Sequence, residues 1–98
     1  MESITKDLIQ SSFEEVVNDK LADLGLIGSV ESITVIDNSV RLDWVCIHFK
    51  YSFVMDSTSL SILAENEDAL KASFEKDAYM IRAELEANYG YAHNTKGE

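Results

Sequence analysis

Apolar residues at the start of the chain recur with a helical period. Ile4, Leu8, Ile9, Phe13, Val16, Val17, Leu21 and Leu24 are separated by steps of 4, 1, 4, 3, 1, 4 and 3 residues. Those steps trace one stripe of an α-helix, so the spacing predicts a helix over residues 3–24. Gly25 follows where a left-handed C′ residue is wanted, and Leu26 is placed to return onto Leu21 in a Schellman ending.

The period then changes to two. Val30, Ile33, Thr34, Val35 and Ile36 form a β-branched run that reads as a strand. Asp37-Asn38 is a turn signal, because both side chains tolerate positive φ. In the long run that follows, Val40, Leu42, Trp44 and Cys46 alternate with Arg41 and Asp43. Phe49, Tyr51, Phe53 and Met55 then alternate with Lys50 and Ser52 in the opposite parity. Either one strand carries a bulge at the switch or two strands meet at a turn. No Gly, Pro, Asn or Asp occupies 44–55, which favours one long bent strand. Asp56-Ser57-Thr58 marks a turn, and Leu60 and Ile62 alternating with Ser59 and Ser61 predict a short last strand ending near Ala64.

Asn66 is a good N-cap, and Glu67 and Asp68 suit the first turn of a helix. Leu70, Phe74, Ala78, Ile81, Leu85 and Tyr89 keep helical spacing from there. The expected fold is therefore α+β, a single domain over residues 1–90 ordered α-β-β-β-α, with a three-stranded antiparallel meander packed by two long helices. Residues 91–98 read as a flexible C-terminal tail. A length of 98 residues and 46% hydrophobic composition suit one compact core.

Charge changes the picture more than composition does. Eighteen acids against eight Lys and Arg give a net charge of −10. Phosphate contacts are made by Lys and Arg, so direct binding of nucleic acid is not expected, nor is an anionic membrane surface. The first residues show no basic and apolar leader, and the longest apolar stretch, 45–55, is too short to span a bilayer. One cysteine, Cys46, excludes an intrachain disulfide. A cytoplasmic setting is the simplest expectation.

Catalytic chemistry finds little support in these residues. Glycines at 25, 28, 90 and 97 never form a phosphate-binding loop, and no nucleophile motif occurs. Cys46 and His48 are i and i+2 on a strand, too far apart for a thiolate–imidazole bond and short of ligands for a metal. Asp43, mid-strand beside Trp44, reads as a solvent-facing residue of an edge strand, paired to an Arg. No catalytic residue, metal site or cofactor is expected.

Two surfaces remain as candidates for meeting a partner. Asp7, Glu15, Asp19 and Asp23 lie on i+4 steps of the first helix, with Ser11 filling the gap after Asp7 and Glu14 beside them, and face solvent on the wheel. In the second helix, Glu67–Lys71 and Arg82–Glu86 are favourable i,i+4 pairs, so that face is expected to compensate itself. The other surface is the sheet, where Trp44, Phe49, Tyr51 and Phe53 cluster on what reads as a two-sided apolar strand; a homodimer through these residues is expected. In size and charge the chain resembles the small acidic inhibitors that phages carry, such as anti-CRISPR and anti-restriction proteins. That resemblance implies a protein partner with a basic surface, whose nucleic-acid site the acids would occupy. A self-assembling accessory protein is the alternative, and a small enzyme the third reading.

Overall fold

Residues 3–89 are described by a computed structural model of the chain. Helix α1 (Ser3–Leu21) tightens into a 3₁₀ turn over Ala22–Leu24, so the expected helix over 3–24 is helical throughout. Gly25 closes it in the left-handed region at φ 72. The Leu26 N–H donates to Leu21 O at 3.4 Å and the Gly25 N–H to Ala22 O at 3.0 Å, the two bonds of a Schellman ending. Strands β1 (Ser29–Ile36), β2 (Ser39–Cys46) and β3 (Phe49–Asp56) form an antiparallel sheet in the order β1-β2-β3. Helices α2 (Ser57–Ala64) and α3 (Glu67–Tyr89) complete an α+β domain ordered α-β-β-β-α-α. The expected tail, 91–98, lies outside the described residues.

Two expectations are corrected. Residues 40–55 are two strands, not one bent strand, and Ile47-His48 is the turn between them. The turn explains the parity switch. Its two residues make Cys46 pair with Phe49, Trp44 with Tyr51, Leu42 with Phe53 and Val40 with Met55. Directly opposite residues share a face, so the even apolar set of β2 and the odd set of β3 point the same way. The second correction is residues 57–64, which are helical and not a strand. Asp56 caps this helix: its carboxylate accepts the Ser59 N–H at 2.8 Å and the Ser59 hydroxyl at 2.7 Å. Leu60 is fully buried while Leu63 and Ala64 are half-buried, an i, i+3, i+4 pattern that the alternating serines disguise as period two.

The sheet therefore has one apolar and one polar face. Val30, Ile33 and Val35 of β1 join the inner face through their pairing with Trp44, Leu42 and Val40. Helices α1 and α3 lie side by side over it. Phe13 of α1, Phe53 of β3 and Phe74 of α3 meet at its centre, with ring centroids 6.0, 5.0 and 5.3 Å apart. The outer face carries Ser32, Thr34, Arg41, Asp43, Lys50 and Ser52, with Ile36, Val45 and Val54 scattered among them. Trp44, Phe49 and Phe53, expected at a dimer interface, lie instead in the chain's own core, and Tyr51 is half-buried. No helix among the described residues is long and apolar enough to cross a membrane.

Candidate functional site

The acidic residues of α1 divide into those that hold the fold and those that face outward. Glu14 belongs to the first group. Its carboxylate accepts the Val30 N–H at 2.8 Å, across from the start of β1. One turn along, Asn18 binds both backbone groups of Gly28: its Oδ1 accepts the N–H at 3.0 Å and its Nδ2 donates to the carbonyl at 3.2 Å. Together they anchor the entry to the sheet against α1. Gly28 must be glycine there, because a Cβ would overlap the indole ring of the fully buried Trp44. Glu14 is thus a structural anchor rather than part of an outward surface.

Glu15 and Asp23 face the seam between α1 and α3. Lys71 of α3 bridges Glu15 at 2.9 Å and Glu67 at 3.1 Å. One helical stretch further, Arg82 holds Asp23 through Nη1 at 2.6 Å and Nη2 at 2.9 Å, donates to Lys20 O at 2.6 Å, and reaches Glu86 through Nε at 3.2 Å. Because Glu15 meets Lys71 and Asp23 meets Arg82, the two helices run parallel. The Glu15 and Glu67 carboxylates hold Lys71 above the ordinary lysine range, and Asp23 does the same for Arg82. Lys20 donates to the Tyr79 hydroxyl at 3.1 Å, with its ammonium 4.6 Å from the ring centroid.

The geometry of these pairs decides the sign of the surface. Side-chain exposure is 27% for Lys71 and 18% for Arg82, but 66% for Glu15 and 58% for Asp23. Basic groups are sunk in the seam and carboxylates stand proud of it. A groove of about 320 Å³ between the helices is lined by Glu15, Asp19, Asp68 and Glu75 around Lys20 and Lys71. Asp19, Asp68 and Glu75 are exposed and enter no ion pair among the described residues. Asp7 is also exposed, toward the start of α1. Sequence reasoning missed Asp68 and Glu75. The i,i+4 pairs of α3 were legible, but not that Lys71 and Arg82 also reach across to α1.

Elsewhere among the described residues, the buried Ser12 Oγ and Trp44 Nε1 find no hydrogen-bond partner, whereas Asp43 is satisfied internally. Asp43 is on the central strand, not an edge, and is 7% exposed. Its carboxylate accepts from Ser52 at 2.7 Å, from Arg41 at 3.0 Å and from Ser32 at 3.2 Å. The Ser52 bond, followed by those from Arg41 and Ser32, holds Asp43 below the usual carboxylate range against the opposing effect of burial. Burial pushes the Cys46 thiol up, and His48 is exposed in the β2–β3 turn. No group of three or more His, Cys, Asp or Glu among the described residues is arranged to hold a metal ion. Compared with protein-family models, with curated proteins and with solved structures, the chain matches none.

Proposed function

We propose that the chain is a non-enzymatic acidic binding protein of the cytoplasm, whose α1–α3 face docks on a basic surface of a protein partner. The acids take the place that the phosphates of a nucleic acid would occupy on that partner, as expected of a phage-type inhibitor of the anti-CRISPR or anti-restriction kind. The observation that carries this reading is the seam, where cations are sunk and Glu15, Asp23 and the unpaired Asp19, Asp68 and Glu75 are presented outward. Such a field steers association with a basic surface and sets register more than it adds raw affinity. The alternative, a self-assembling accessory protein that uses an apolar sheet face, draws less support, because Trp44, Phe49 and Phe53 of that face are buried in the chain's own core.

The test combines Asp19→Asn, Asp68→Asn and Glu75→Gln. These residues hold no ion pair among the described residues, so the fold is expected to survive, whereas changing Glu15 or Asp23 would also release Lys71 or Arg82. Exposed charge contacts are worth about 0.2–1 kcal/mol each, so three should cost about tenfold in affinity for a partner recovered with the parent chain. Duplex DNA should displace the parent from that partner. A triple variant that binds as tightly as the parent at physiological salt, or a partner that duplex DNA leaves bound, rules the reading out.

A further inference from the structure

Among the described residues no strand pairs with the outer edge of β1 or of β3, and the two edges are not alike. On β1 the register shifts between Val30 and Ser32, which leaves Glu31 in a bulge. A bulge and a charge are the ordinary devices that keep an edge from recruiting another strand. On β3 the pairing is regular from Phe49 to Asp56, with neither bulge nor proline, and its one lysine, Lys50, is turned back across the sheet to Glu31 of β1 at 3.2 Å. The two-residue turn makes Cys46–Phe49 a hydrogen-bonded pair, and the alternation of an antiparallel ladder follows from it. Odd residues of β3 bond to β2, while the backbone N–H and C=O groups of Lys50, Ser52 and Val54 point away from the sheet. A groove of about 480 Å³ runs along this edge, walled by Ala72, Ser73, Lys76 and Asp77 of α3. Val54 stands 62% exposed beside it.

We propose that the free edge of β3 receives β3 of a second copy of this chain, antiparallel, about a two-fold axis at Phe53. Three steps lead to that occupant and that register. A two-fold contact must be self-complementary. Only a pairing that sets odd residues opposite odd ones keeps both apolar faces on one side, since a one-residue slip would turn one set to solvent. Among those pairings, centring on Phe53 places Lys50 of each copy, which already reaches Glu31 at 3.2 Å, opposite the α2-capping Asp56 of the other and so extends an existing ion pair across the contact, whereas centring on Ser52 sets Lys50 opposite Val54. Ser52 and Val54 then face each other as hydrogen-bonded pairs, using backbone groups that no described residue pairs. The axis stands perpendicular to the sheet, so the helices of both copies lie on the same side of a continuous six-stranded sheet.

Sedimentation equilibrium of the whole chain tests this, with Val54→Pro and Val54→Lys as variants. Proline at 54 removes an N–H that faces outward, so no bond to β2 is lost, and lysine at an edge is a common guard against pairing. The parent is expected at twice its 11.0 kDa, and each variant at 11.0 kDa with the parent's circular dichroism spectrum. Should Val54→Pro fail to fold, Val54→Lys decides. A parent that stays at 11.0 kDa at the highest attainable concentration overturns the proposal, as does a folded variant that dimerises like the parent.

Discussion

A phenol and a carboxylate meet where β3 passes beneath α3. The Tyr51 hydroxyl donates to Asp77 Oδ1 at 2.5 Å, and Asp77 is only 7% exposed. Burial above all, and then this bond, raises the Tyr51 pKa well above its ordinary value. A phenol that resists ionisation in the folded state contributes stability in full below its unfolded pKa of about 10, and that stability is lost as the pH climbs from there toward the raised value. Denaturant titrations at pH 9 and pH 11 should therefore show a loss of stability that shrinks in Tyr51→Phe. The same variant should be weaker at pH 9 by about 1–3 kcal/mol, because it leaves a buried carboxylate without its donor. Equal losses in parent and variant would show that Tyr51 does not carry the alkaline transition. Residue roles of this kind were the least legible in the sequence. Glu14 and Glu15 are adjacent acids on one helix, yet Glu14 accepts a backbone N–H from β1 while Glu15 meets Lys71 of α3. Nothing local distinguishes them; their partners are supplied by how elements pack, which lies beyond the reach of a periodicity.

At the scale of elements, the β2–β3 turn is the place where local preference and fold disagree. Ile47 sits at φ 55, where a β-branched side chain crowds its own backbone, and its side chain is 63% exposed, so packing offers little in return. The hairpin forms because the inner faces of β2 and β3 bury Trp44, Phe49 and Phe53, which outweighs strain at one residue. Ile47→Gly should relieve that strain and raise stability by about 1 kcal/mol, visible as a higher denaturation midpoint at unchanged slope. A lower midpoint would mean that the exposed isoleucine does more than tolerate the turn. The absence of a turn-forming residue is why the pattern read as one strand. The parity switch itself was the informative signal, since a two-residue turn must produce it and a bulge only imitates it. The 57–64 segment failed differently: Asp56 and Ser59 are a helix cap as readily as a turn, and serine at every second position hid the Leu60, Leu63, Ala64 spacing. Long periodic stretches with caps, α1 and α3, were legible because many residues and the Gly25 and Asn66 signals agreed on them.

Across the whole molecule, the charges proposed to meet a basic partner also work against the fold. Among the described residues four bases, Arg41, Lys50, Lys71 and Arg82, pair with six acids, and the net charge of −10 leaves the other carboxylates to repel one another. Edge pairing would set two such acidic helical layers side by side and deepen that repulsion, while offering a repeated basic partner two sites at once. Salt separates these effects by sign. Screening weakens exposed pairs, which are worth little individually, and weakens the summed repulsion more, so sodium chloride added to a low-salt solution should stabilise the fold. A gain of about 1 kcal/mol corresponds to about 4–8 °C in Tm for a domain of this size. The same salt should loosen the complex with a basic partner, because the steering field of the α1–α3 face is screened as well. The expected signature is thus a Tm that rises while affinity falls over one salt series. A falling Tm would mean that the Lys71 and Arg82 pairs outweigh the repulsion. An affinity that holds or grows would place the contact on apolar groups and away from the acidic seam.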